Sequence, residues 1–253
     1  MTDGRDLLWK NTLTNYLTSG VRILQGILLT RWMFHWLGAD EYGFYALLWS
    51  VFVYALLLDF GFSKAIQKYT AAGLWHRDIA AYNRIVSAVF SLLAAMGVII
   101  VLGTVLAGIW LPAWTRVTDA GELAYCRTAL YIFGIGTAIT FPVSMFSELI
   151  VGLHKLYIRN YVTIAARLTE LTAIAVALWL GGRLLTLVIC TVAINLAACC
   201  ALAWFCFREV KGLQVRFRLS LPTLRELADF SGFIYLISIS NLILSKTDRL
   251  VLG

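Results

Sequence analysis

An all-α, multi-pass membrane protein is the fold that three observations predict. Apolar residues make up 60% of the 253 residues, mean hydropathy is +0.81 and only 14% of residues are charged, far from the balance of a soluble domain. The apolar residues fall into runs of about 20 or more, the length needed to cross a hydrocarbon layer ~30 Å thick. The charges gather between those runs, and unevenly.

The elements follow in order. Residues 1–11 are a short polar lead with Arg5, Trp9 and Lys10, and no cleavable leader is expected. The first span runs from Leu13 to Leu37 and ends at Gly38 in a tight turn, Gly38-Ala-Asp-Glu41. The second covers 42–58 without a charge and ends at Asp59-Phe-Gly61, followed by a basic continuation with Lys64 and Lys68 as far as His76 and Arg77. The third, Ile85 to Leu111, is uncharged and closed by Pro112. A loop with Arg116, Asp119 and Glu122 leads to the fourth, Tyr125–Val151, which Pro142 should kink because it removes a backbone donor. The fifth span is Tyr157–Leu180, a turn follows at Gly181-Gly-Arg183, and the sixth is the uncharged Leu184–Phe207. These six form a lobe over residues 1–207.

Residues 208–232 read as a basic amphipathic linker: Leu221, Leu224, Leu227 and Ala228 share one face, as in a helix lying on the membrane surface. Residues 233–253 read as the first helix of a second lobe. That span stops beside Lys246, Asp248 and Arg249 with no cap or following loop, so the chain is expected to be a fragment.

Charge sets the expected orientation. With the N-terminus in the cytoplasm, the cytoplasmic segments hold Arg5, Lys10, Lys64, Lys68, Arg77, Arg84, Lys155, Arg159, Arg208, Lys211, Arg216, Arg218 and Arg225; the other side holds Arg116, Arg127 and Arg183. Basic residues favour the cytoplasmic side. The tryptophans agree, with Trp9, Trp75 and Trp204 at one interface and Trp32, Trp36, Trp110, Trp114 and Trp179 at the other; Trp49 alone falls mid-span. The net charge of +7 therefore reflects topology, and nucleic acid is not expected as a partner.

The chemistry lies in the first and fifth spans. At about 100° per residue, Asn15, Thr18, Ser19, Arg22 and Gln25 fall within ~120° on one side of the first helix. Arg22 lies roughly 16 Å from a helix start near Asn11, close to mid-membrane. A guanidinium there costs at least ~2.5 kcal/mol unless it faces a partner or water. The fifth span repeats the pattern: Asn160, Thr163, Arg167 and Glu170 have the spacing of Asn15, Thr18, Arg22 and Gln25. Two readings stand side by side. One is a hydrated cationic pocket, with Glu170 a carboxylate that can carry a coupling proton or ion. The other is a structural pair of Arg22 or Arg167 with Glu170 that fixes helix packing. Arg31, on the opposite face, is expected to snorkel to the interface. Asp59 is a second candidate for ion coupling, against a helix-end role. Glu148 is expected to pair with Lys155 or Arg159.

Other chemistries lack their residues. His35, His76 and His154 have no partner spacing, so no metal is expected; Cys126, Cys190, Cys199, Cys200 and Cys206 read as small packing residues. Gly134-Ile-Gly136 lacks the third glycine and strand context of a nucleotide site. No cofactor and no catalytic residue is expected.

Several stretches carry a family likeness. Leu37-Gly-Ala-Asp-Glu-Tyr-Gly43-Phe-Tyr-Ala-Leu-Leu, then Leu57-Leu-Asp59-Phe-Gly61 and Lys68-Tyr-Thr-Ala, resemble the start of a polysaccharide flippase. These oligosaccharide exporters belong to the superfamily that also holds multidrug (MATE) exporters and lipid II flippases. Gly152-Leu-His-Lys-Leu-Tyr-Ile-Arg-Asn160 is similar to the family's second short cytoplasmic connection, and Asp248-Arg-Leu-Val-Leu-Gly253 resembles the end of its seventh helix. The resemblance implies two six-helix bundles around a central cavity. It implies a flippase that moves a lipid-linked oligosaccharide of the undecaprenyl-pyrophosphate type across the inner membrane, for surface polysaccharide such as the O-antigen of lipopolysaccharide. Its partners would be that substrate, membrane lipids and other polysaccharide-assembly proteins. Arg22, Gln25, Asn15, Thr18, Arg167 and Asn160 are then the candidate cavity residues, with Glu170 and Asp59 the candidate coupling groups. An ion-coupled multidrug exporter is the main alternative, and an integral glycosyl- or acyltransferase the other.

Overall fold

The computed structural model describes residues 2–114, 119–218 and 220–252, and their side chains over 8–50, 58–113, 119–218, 220–228, 231–237 and 240. Arg116 and Gly253, and the side chains of Arg5, Trp114, Asp229, Lys246, Asp248 and Arg249, lie outside the described residues.

Helices account for almost all of it, and no strand occurs among the described residues. Helix α1 spans Thr2–Ala55, a 3-10 turn covers Leu56–Asp59, and α2 (Phe62–Ala71) and α3 (Leu74–Arg77) follow. The long α4 (Ile79–Trp114) precedes α5 (Ala120–Val143) and its continuation α6 (Met145–Gly152). Then come α7 (Leu156–Trp179), α8 (Leu184–Glu209) and α9 (Leu221–Leu252).

Among the described residues, four stretches are long and apolar enough to cross a membrane: Ile79–Ala113, Ala120–Gly152, Leu156–Trp179 and Leu184–Glu209. The protein is an all-α, multi-pass membrane protein. Helix α1, which holds the first two expected spans, is not among the four; in its first limb Asn15, Thr18, Ser19, Arg22 and Gln25 dilute an otherwise apolar run.

Three expected breaks take particular forms. At Gly38 the backbone is left-handed in φ (78°), and α1 bends there into two limbs and remains helical on both sides. Only glycine adopts that conformation without strain. Pro142 does interrupt the fourth span: α5 ends at Val143, and Ser144 joins it to α6. Pro112, by contrast, does not end α4, which continues to Trp114.

Two segments differ from expectation. The helix expected on the membrane surface and the span expected from residue 233 are one unbroken helix, α9. No break falls at the 232/233 boundary. Ahead of it, after a turn at 210–212, the chain runs as an extended strap along α4 as far as residue 218. Asn83 donates to the Gly212 carbonyl (2.9 Å) and accepts from the Gln214 amide (3.1 Å). The Arg216 amide donates to Ser87 Oγ (3.1 Å) and the Arg218 amide to Ser91 Oγ (2.8 Å). These three polar side chains are spaced four apart, one per turn on a single face of α4. They supply partners for an extended backbone that has no sheet to join. Leu213 of the strap is buried, and the Phe217 ring meets Phe90 edge-on at 5.2 Å.

Packing falls into two apolar clusters. One is built from α2, α4, α5, α6 and α8, with Ile66, Tyr82, Leu93, Met145 and Leu149 almost fully buried. The other joins α1, α5, α7 and α8 through Met33, Leu48, Ile174, Leu184 and Leu187. Helices approach closely where glycine allows it. A Cβ on Gly97 would lie 2.8 Å from the Ala138 carbonyl, and one on Gly152 would lie 2.7 Å from the Gln67 carbonyl. Such small-residue contacts are the main means of helix association in lipid.

Candidate functional site

The two polar stripes meet. Gln25 on the first limb of α1 donates from Nε2 to Glu170 Oε2 on α7 (2.8 Å), and both side chains are buried. Arg167, one turn before Glu170, places a guanidinium nitrogen 3.6 Å from the same oxygen. That is an ion pair by charge but too long for a direct hydrogen bond. Arg22 lies one turn before Gln25, is exposed, and forms no ion pair with any described residue. The structural alternative therefore resolves in favour of Arg167: Glu170 is held by Gln25 and Arg167, without Arg22.

These four side chains line an open cleft of about 370 Å³. On α1 the lining residues are Arg22, Gln25, Gly26, Leu29, Thr30 and Met33. Their i, i+3, i+4, i+7 spacing makes one face of a helix. The second limb of α1 supplies an aromatic wall of Tyr42, Tyr45 and Trp49. The bend at Gly38 brings this wall opposite Arg22. Tyr45 is fixed by Thr191 on α8, their hydroxyls 3.4 Å apart, and by the Trp49 ring 6.5 Å away. Trp49 also contacts Phe133 edge-on and forms part of a smaller cavity between α5 and α8. The wall was missed in the sequence, and its one signal was Trp49, the tryptophan away from both interfaces.

The other candidate residues lie elsewhere. Asn160 is buried but donates to Thr14 Oγ1 (3.0 Å), joining α7 to α1 well below the cleft. Thr18 bonds back to the Thr14 carbonyl (2.7 Å), and Asn15 is exposed. None of the three lines the cleft. Chemically, the cleft offers two guanidinium groups against one carboxylate that already has partners, beside an aromatic surface. This arrangement suits a phosphate-bearing ligand with a ring system.

Asp59 is also outside the cleft. Its Oδ1 accepts from the Ser63 amide (3.1 Å) and Ser63 Oγ (2.8 Å), capping the first turn of α2. Burial pushes its carboxyl above the ordinary carboxylate range, while the Ser63 bonds oppose the shift. A raised folded value means that stability falls as pH rises from the ordinary carboxylate range through the folded value. Asp59→Asn keeps the accepting oxygen and should remove that dependence. Asp59→Ala loses the cap at about 1 kcal/mol, a melting shift of roughly 2–4 °C for a chain this size. Thermal unfolding of both variants across pH 4 to 8 checks this.

At the same end, Glu148 pairs with Lys64 on α2 (2.7 Å) and not with Lys155 or Arg159; Lys155 pairs with Glu209 instead. The reason is the close packing of α2 on α6 at Gly152, which carries Lys64 over Glu148. At the opposite end, Arg183 and the Leu184 amide both bond Glu41, just past the bend, so the turn between α7 and α8 holds the two limbs of α1 in place.

The described helices thus form a lobe with a charged cleft between the two limbs of α1 and α7. In sequence, residues 8–253 match the family described as polysaccharide biosynthesis protein, and the chain belongs to that family. In structure it is similar to a MOP superfamily transporter from Pyrococcus furiosus Vc1 (DSM3638), at TM-score 0.71 and 14% identity. That protein is described as having a binding pocket of reverse polarity that suggests a different function. The likeness covers 94% of this chain and 54% of that one, so the chain spans about half the neighbour's length. No curated protein matches in sequence.

Proposed function

We propose that the protein is a flippase for a lipid-linked oligosaccharide carried on a polyprenyl pyrophosphate, working in surface polysaccharide assembly, with its N-terminus in the cytoplasm. The observation that carries this reading is Arg22, an exposed guanidinium on the cleft wall with no ion-pair partner among the described residues. Arg22 and Arg167 bind the pyrophosphate through charge-assisted bonds, and the aromatic wall of Tyr42, Tyr45 and Trp49 faces the first sugar. Glu170 is the coupling carboxylate: a proton or cation taken up there frees Arg167 for the ligand. No covalent step is involved. A carboxylate already held by Gln25 and Arg167 offers little to a cationic drug, which separates this reading from a multidrug exporter.

The test is ligand binding to the purified protein. Polyprenyl pyrophosphate should bind, should be displaced by inorganic pyrophosphate and should weaken with salt. Equal binding of the uncharged polyprenol, or displacement by a lipophilic cation, overturns the reading.

A further inference from the structure

We propose that a second groove, between the first turns of α7 and the last turns of α8, holds an anionic phospholipid of the adjacent leaflet with its phosphate on Arg208. The groove has a volume of about 400 Å³. Its α7 wall is Tyr157, Ile158, Tyr161 and Val162; its α8 wall is Phe205, Arg208 and Glu209. At about 100° per residue the α7 wall lies on the side opposite Arg167 and Glu170, so the groove is separate from the cleft.

Position gives the groove its polarity. Both helices are membrane spans, Leu156–Trp179 and Leu184–Glu209, and both end here. Arg208 is the last residue but one of its span, so its charge sits at headgroup level. Tyr161, Val162 and Phe205 continue toward the hydrocarbon and present an apolar channel for an acyl chain. Tyr157 and Tyr161, edge-on at 6.1 Å, place two hydroxyls near the boundary, where tyrosine is at home.

Charge then selects the headgroup. The Glu209 carboxylate is taken by Lys155 at 2.5 Å, so that pair is neutral. Arg208 has no ion-pair partner among the described residues and lies over the Trp204 ring at 5.5 Å. The ring holds the guanidinium in place while leaving its N–H edge open. The groove thus has one fixed positive charge above an apolar slot, the complement of an anionic headgroup on an acyl chain. A zwitterionic lipid brings a cation to the same arginine.

Native mass spectrometry of the detergent-purified protein, offered phosphatidylglycerol or phosphatidylcholine with identical chains, tests this. The wild type should retain phosphatidylglycerol under activation that strips phosphatidylcholine. Arg208→Gln should lower that retention roughly fivefold, Arg208→Lys should keep part of it, and Arg183→Gln at the other end should change nothing. Val162→Trp fills the slot with Arg208 intact and should also lose the lipid, which keeps the test open if Arg208→Gln misfolds. Glycerol phosphate should not compete. Unchanged retention in both Arg208→Gln and Val162→Trp, equal retention of the two lipids, or effective competition by glycerol phosphate overturns the proposal.

Discussion

Arg22→Gln is expected to abolish polysaccharide export while leaving the protein at wild-type level in the membrane. The substitution, made in the chromosomal gene, removes a charge from the cleft without touching the carboxylate that needs one. Glu170 keeps its 2.8 Å bond from Gln25 and its ion pair with Arg167, so no buried charge is stranded and abundance should hold. On the proposed function, what is lost is the bond to an anionic head group. Two charge-assisted hydrogen bonds are worth about 1.5–3 kcal/mol each, and losing them should lower export roughly a hundredfold or more. Arg22→Lys should keep partial export, because an ammonium binds phosphate as a point charge without the bidentate fork. The double variant Arg22→Gln with Glu170→Gln separates ligand binding from helix packing. It should remain inactive. Export recovered in the double variant would show that Arg22 serves only to balance Glu170.

The largest expected effect on stability comes from Gly61→Ala. Gly61 precedes α2 in a left-handed conformation (φ 78°, ψ 5°), which costs a residue with a Cβ about 1–2 kcal/mol. Space is the second constraint. A Cβ there would lie 2.7 Å from the Ser231 carbonyl and 3.2 Å from Ile234 Cβ, both on α9. A helix backbone cannot rotate aside as a side-chain tip can, and overpacking of this kind costs about 1–3 kcal/mol more. Gly73 is the control within the chain: it too is left-handed (φ 70°) but has nothing within 4 Å of its Cβ position. Gly73→Ala should therefore lower the melting temperature by the backbone term alone, and Gly61→Ala by clearly more, with loosening of α9. Equal shifts in the two variants would remove the close approach from the account.

The sequence was most legible where the membrane makes a residue costly. An arginine, a glutamine and a glutamate inside apolar runs point to one another, and Arg22, Gln25, Arg167 and Glu170 do share a cleft. Periodicity supplies the side of a helix, not the neighbour that side meets. Asn15, Thr18 and Asn160 lie on the same stripes, yet Asn160 is consumed in the contact of α7 with α1. Tyr42 and Tyr45 were hidden because aromatic residues in an apolar helix are unremarked without a fold. Ser87 and Ser91 read as small residues in the most apolar helix, and their role depends on a segment more than 120 residues later. Glu148 chose its partner by the same non-local route, through the packing of α2 on α6.

That strap has a meaning for biogenesis. Its hydrogen bonds to Asn83, Ser87 and Ser91 span 127 to 131 residues of chain. When residues 212–218 leave the ribosome, α4 is already synthesised, and its polar face must still be uncovered to receive them. Closing so long a loop costs entropy that the few strap bonds must offset, so the strap should seat only after α4, α5 and α8 have assembled. It then fixes the starting point of α9. A strap that seats late makes the placement of α9 follow the packing of α4, α5 and α8 instead of preceding it.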